Sequence, residues 1–107
     1  MADDSFTPTL RMASAARRGL RLREKFGRGG TDVGVARAKQ LANRDAVSAK
    51  DVRSMHSFFA RHEVDKNAKT HAWGSDRDPS AGFIAWLLWG GDAGKAWADA
   101  KVKTLDA

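Results

Sequence analysis

The sequence predicts an all-α fold, a compact orthogonal bundle of about five short helices around a central apolar helix. Three observations carry that expectation. Among 107 residues there are 19 alanines but only six valines and one isoleucine, a composition rich in helix formers and poor in the β-branched side chains that favour strands. Apolar residues recur at helical spacing between residues that cap helices. One run, Phe83 to Trp89, is apolar nearly all round, as a helix enclosed by others should be. The length suits one domain with one core, over residues 1–107, with a disordered acidic tail at 1–7, a long loop at 64–79 and a polar tail at 103–107.

Each element follows from local chemistry. Thr7 can cap free N–H groups and Pro8 is tolerated in a first turn, so the first helix is expected from Pro8 to Phe26. At about 100° per residue, Met12, Ala16, Gly19, Leu20 and Phe26 fall on one side and Arg17, Arg18, Arg21, Lys25 and Arg28 gather on another. Arg23 falls nearer the apolar side, where it would snorkel or find a partner. The segment Gly27-Arg28-Gly29-Gly30 stops this helix, and Thr31 or Asp32 starts a short second one that carries Val35, Ala38 and Leu41 to Asn43.

Ser48 followed by Asp51 is a variant capping box for a third helix from about Ala49 to His62. Val52, Met55 and Phe59 share its inner face, while Lys50, Arg53, Ser57 and Arg61 cluster opposite. Polar residues dominate from Glu63 to Pro79, a loop with room for one helical turn, pinned to the core by Trp73. Ser80 caps the apolar fourth helix, Gly90-Gly91 breaks it, and Asp92 is expected to cap a fifth helix with Ala93, Ala96, Trp97 and Ala100 facing inward.

Several chemistries are excluded by what the chain lacks. Without cysteine there are no disulfides, thiolate nucleophiles or thiolate metal sites. The Phe83–Trp89 run falls far short of the roughly 20 residues that span a bilayer, so no membrane partner is expected. Met1-Ala2-Asp3-Asp4 is acidic with no apolar stretch after it, so no secretory signal is expected either. His56 and His62 stand about 120° apart on one helix and cannot share an ion there. His71 would need to approach them with Glu63 or Asp65 to complete a ligand set. Ser54 and Ser57 beside His56 lack the strained turn of an activated serine. Nothing desolvates one of Asp65, Asp76 and Asp78 selectively, as acid–base work requires. The expectation is therefore no catalytic residue, no metal and no cofactor.

The charge is informative. Between Arg11 and Gly30 seven cations face Glu24 alone, and this segment accounts for the entire net charge of +6. Clustered cations sum their fields and release phosphate counterions together, which points to a polyanionic partner. The expected DNA or RNA contacts are Arg17, Arg18, Arg21, Lys25 and Arg28. Lys50, Arg53 and Arg61 would form a second surface if the fold joins the two. Backbone N–H groups at Gly29 and Gly30 can hold a phosphate beside Arg28, loosely like the backbone-gripping turn of a helix-hairpin-helix. A turn that simply needs glycine for positive φ fits equally. The second and third helices are helix-turn-helix-like, although the stretch from Asn43 to Val47 exceeds the usual turn. A merely solvated face is the alternative for the third helix. Only Trp73 offers a plausible exposed platform for stacking bases.

Four strings taken together, Ala16–Thr31 (ARRGLRLREKFGRGGT), Val33–Asn43 (VGVARAKQLAN), Met55–Lys66 (MHSFFARHEVDK) and Ile84–Gly94 (IAWLLWGGDAG), resemble a small basic domain encoded by tailed bacteriophages, alone or attached to larger phage proteins. The similarity covers about Ala13 to Ala98. It implies a phage origin and action in the host cytoplasm or the virion, and it carries over no catalytic residue. Two functions remain open: binding of nucleic acid through the arginine-rich first helix, and a structural or interaction role in which the same arginines dock an acidic phage or host protein. Arginine's planar fork suits phosphate and carboxylate alike.

Overall fold

Thr9, rather than Thr7, opens the first helix. A computed structural model describes residues 6–67 and 73–107. In it Pro8 precedes the cap, the Thr9 hydroxyl accepts from the Met12 N–H at 3.2 Å, and α1 runs Leu10–Phe26. Its end is the expected one: Gly27 is left-handed at φ 65° and its N–H donates to the Arg23 carbonyl at 2.8 Å. Helix α2, Asp32–Ala42, is capped by the Thr31 hydroxyl, which accepts from Gly34 N–H. Helix α3 spans Ala49–His62 behind the Ser48 cap and continues into a 3-10 turn, Glu63–Asn67.

Buried Ser80 caps α4, Ala81–Leu88, by accepting from the Phe83 N–H at 3.0 Å. After Trp89 and Gly90 the chain is helical again, and α5 runs Gly91–Asp106. Its cap is Gly90, left-handed at φ 108°. Asp92 does not cap; its carboxylate instead accepts from the Trp86 indole N–H at 2.8 Å, tying the start of α5 to α4. The polar tail expected from residue 103 is the last turn of α5, because Val102 and Leu105 pack on the core and hold the helix together to its end. Of the expected disordered tail at 1–7, residues 1–5 lie outside the described residues, and Phe6 is tied to the fold. Phe6 and Val47 exchange two backbone hydrogen bonds of 2.8 Å, and the Phe6 ring meets Trp97 edge-on at 6.4 Å.

All-α architecture is thus observed, with five helices among the described residues. The apolar α4 is its centre: it meets α1, α2, α3 and α5, while α1 also packs on α2 and α5, and α3 on α5. Leu41, Val52, Phe59, Ile84, Leu87, Leu88 and Trp97 are buried as their spacing predicts, whereas Leu20 and Phe26 are only partly so. Glycine is needed at Gly19 for a close crossing. A Cβ there would lie 2.9 Å from both Leu87 Cβ and the Leu88 nitrogen, so α1 can approach α4 only because that side chain is missing. Among the described residues no helix is long and apolar enough to cross a membrane.

Arg37 links three elements and carries a pH prediction. It reaches Gln40 within α2, lies 3.2 Å from the Asp51 carboxylate of α3, and stacks over Trp89 at 5.5 Å. Its hydrogen bond holds the Asp51 carboxyl below the ordinary value near 3.8, against an opposing effect of burial. A depressed folded pKa means that this stabilisation is complete above about pH 4 and disappears as pH falls through the folded value. Asp51→Asn should therefore cost about 1 kcal/mol at neutral pH, a modest figure because the carboxylate stays partly solvated, and progressively less in acid as the wild-type carboxyl is protonated. Urea denaturation at neutral and at acid pH checks this; an equal loss at both would contradict it.

Candidate nucleic-acid interface

The expected basic face is present on α1, but it divides into two kinds of arginine. Arg17, Arg21 and Lys25 recur every fourth residue along the outer side of the helix, each about 6 Å further along the axis. All three are exposed. Arg17 donates to the Ala42 carbonyl at 2.7 Å, at the negative end of the α2 dipole, and Lys25 lies over the Phe26 ring at 5.3 Å. None of the three forms an ion pair with a carboxylate among the described residues.

Arg18 and Arg28 are committed elsewhere. Arg18 donates from Nε and Nη2 to the Asp76 carboxylate at 2.9 and 2.5 Å and lies over Phe83. Arg28 pairs with Asp78 at 3.0 Å and donates from Nε to the Pro79 carbonyl. Both acids belong to the segment before α4. Sequence reasoning set them aside as a conceivable acid–base pair, whereas here they neutralise part of the basic face. Arg23, expected to snorkel or pair, does so by donating to the Gly29 carbonyl at 3.0 Å.

The glycine turn is explained by packing. Gly29 and Gly30 have φ of 95° and 79°, and a Cβ would fall 2.6 Å from Ile84 Cβ at the first and 2.5 Å from Leu88 Cδ1 at the second. Both positions therefore need glycine to turn left-handed against α4. The turn also forms, with Arg23 and Arg28, a small polar recess of about 230 Å³.

Gly30 joins Lys50, Arg53 and Arg61 in one place, an open groove of about 1020 Å³. One wall is a three-turn stripe of α3 from Lys50 to Arg61; the other is the small-residue side of α4, Ala81, Gly82 and Ala85, with Thr31 and Val33 at the start of α2. Phe58 and Trp89 form the floor, their rings stacked at 4.5 Å and 8°. Arg53 carries the Asp106 carboxylate from the end of α5 at 2.7 Å, and that hydrogen bond holds the acid below its ordinary pKa.

This placement bears on two expectations. Helices α1 and α3 do not pack on each other, and the two basic regions meet only at Gly30, which lines both the recess beside Arg28 and the groove beside Lys50, Arg53 and Arg61 among the described residues. Helices α2 and α3, unlike those of a helix-turn-helix, do not pack together either, and the Arg37–Asp51 ion pair bridges them. The polar side of α3 forms one wall of this groove, with Lys50, Arg53, Ser57 and Arg61 exposed.

The remaining candidates are also accounted for. His56 Nδ1 lies 2.8 Å from Asp99 and His62 stacks on Phe58, so the two rings face different neighbours. The Asp99 carboxyl sits below its ordinary pKa because hydrogen bonds from Lys95 and His56 outweigh the effect of burial. Ser54 and Ser57 are exposed on α3 with His56 turned towards Asp99. His71 lies outside the described residues. Trp73 is partly buried and meets Phe83 and Trp86 edge-on at 5.2 and 5.4 Å, an anchor for its loop rather than a free stacking platform. What the sequence did not reveal is the groove itself. Its signals were Val33, an apolar residue 64% exposed, and the small residues Ala81, Gly82 and Ala85 on one side of an otherwise bulky helix.

No family model, curated protein or solved structure matches the chain.

Proposed function

We propose that this is a non-enzymatic nucleic-acid-binding protein that contacts phosphate backbones through the outer face of α1. The observation that carries the reading is the exposed row Arg17, Arg21 and Lys25, which no carboxylate among the described residues neutralises. Such contacts position a protein on DNA or RNA without reading sequence. From the resemblance to phage-encoded basic domains we propose that this activity operates in an infected host's cytoplasm or in the virion. Fluorescence anisotropy of labelled duplex DNA and RNA across salt concentrations tests the proposal. Retention on neither at low salt would defeat it.

The pairing of Arg18 and Arg28 adds a specific expectation. Asp76 and Asp78 cancel two of the cations that the sequence offers to a polyanion. The double change Asp76→Asn, Asp78→Asn should release both arginines, tighten binding by about ten-fold at low salt, and steepen the slope of log affinity against log salt by about two phosphates' worth. An unchanged slope would mean that Arg18 and Arg28 do not face the nucleic acid even when freed.

The second reading, a phage structural or interaction protein, is favoured by a different observation, the groove between α3 and α4.

A further inference from the structure

We propose that the groove between α3 and α4 is a docking site for an acidic amphipathic helix of a partner protein. This goes beyond the α1 reading and does not rest on it, since the two surfaces lie on helices that do not pack together.

Size is the first argument. The α3 wall from Lys50 to Arg61 measures about 16 Å along the helix axis, and a helix of that length and about 10 Å diameter occupies about 1300 Å³. The groove holds about 1020 Å³, enough to seat most of such a helix while one side stays in solvent. The α4 wall is made of Ala81, Gly82 and Ala85, which lets a second helix backbone approach closely. Beside it, at the start of α2, Val33 stands 64% exposed, an apolar side chain with nothing to cover it among the described residues. An incoming helix with apolar residues at i, i+3 or i+4 and i+7 would cover Val33, Ala85 and the edges of Phe58 and Trp89.

Charge selects the class of helix. Lys50, Arg53, Arg61 and His62 line the groove, and among the described residues no carboxylate does. Arg53 already shows the preferred counterpart: its guanidinium holds the carboxylate of a helical aspartate, Asp106, at 2.7 Å. Both partners are about half exposed, so a ligand carboxylate can replace Asp106 at little cost. A single-stranded nucleic acid would also favour the cations, but it needs aromatic faces to stack on. Phe58 and Trp89 offer none, because their rings stack on each other and are 5% and 9% exposed.

The test is a displayed library of helical peptides of about 14 residues, selected on the full-length protein in nucleic-acid-free buffer. The expected winners carry an apolar i, i+3, i+7 stripe flanked by Asp or Glu. Synthesised winners should bind wild type and lose at least about ten-fold in affinity against Ala85→Trp, which fills the groove, and against Arg61→Glu. Ser57→Trp on the opposite wall serves if Ala85→Trp fails to fold. The Arg17, Arg21 and Lys25 glutamine variant should bind the peptides normally, so that failure here and failure of the nucleic-acid reading are distinguishable. The inference is overturned by no enrichment, by basic or non-helical winners, or by winners that ignore both groove substitutions. Two further results would overturn it in favour of another occupant. One is concentration-dependent dimerisation that Ala85→Trp abolishes. The other is a single-stranded oligonucleotide that shifts the Val33, Ser57 and Ala85 amides more strongly than any peptide.

Discussion

Phe59→Ala is expected to lower the unfolding free energy by about 3–5 kcal/mol, enough to unfold a domain of ordinary marginal stability. Phe59 is fully buried on α3 and meets two rings edge-on, Phe58 at 5.3 Å and Trp86 at 4.7 Å. Removing it takes away transfer free energy and leaves a cavity that the surroundings cannot close easily. Trp86 is fixed by its indole hydrogen bond to Asp92, and a Cβ at Gly94 would fall only 3.3 Å from the ring tip, so α5 already lies against that ring. Ser57→Ala, on the exposed side of the same helix, should stay within about 0.5 kcal/mol of wild type. Urea denaturation of both variants separates core from surface. A loss below about 1 kcal/mol for Phe59→Ala would show that α3 is not packed as described.

The same helix shows what a sequence can disclose. Ser48 and the apolar spacing of Val52, Met55 and Phe59 fix the start, length and inner face of α3, because capping and periodicity act within a few residues. Helix α4 is legible for a related reason: seven consecutive large or apolar residues can only be enclosed. The end of α5 is not legible in that way. Lys101, Lys103 and Thr104 look like a solvated tail, yet Val102 and Leu105 find the core and Lys101 lies over the rings of Phe6 and Trp97. One of those rings, Phe6, comes from a segment ahead of α1, far from α5 in the sequence.

The candidate sites divide along the same line. That α1 would present arginines outward follows from its own periodicity. How much of that charge is available does not, since Asp76 and Asp78 return from 58 and 50 residues away. The groove is still less legible, because it belongs to three elements at once and appears only when the Gly29-Gly30 turn brings the start of α2 against α4.

The triple change of Arg17, Arg21 and Lys25 to glutamine should weaken binding to duplex DNA by about 100-fold at low salt without lowering stability. Each residue is exposed on the outer side of α1, so the loss of charge removes no buried contact. Arg17 also donates to the Ala42 carbonyl, a contact that the shorter glutamine would lose, but at an exposed site this is worth only a few tenths of a kcal/mol. Three phosphate contacts predict a slope near −3 for log affinity against log salt, at about 0.9 per contact. The five expected contacts, Arg17, Arg18, Arg21, Lys25 and Arg28, taken without their partners would give a slope of −4 to −5, so wild type alone discriminates between the full basic stripe and the reduced row that the Asp76 and Asp78 pairs leave. In the triple variant the slope should approach zero. Sequence preference should be absent from wild type and variant alike, because phosphate contacts carry none. Folding is checked by the thermal midpoint, which should agree with wild type to within a few degrees. A variant that folds and still binds with an unchanged slope would remove α1 from the interface and leave the protein-docking groove as the stronger account of what this chain does.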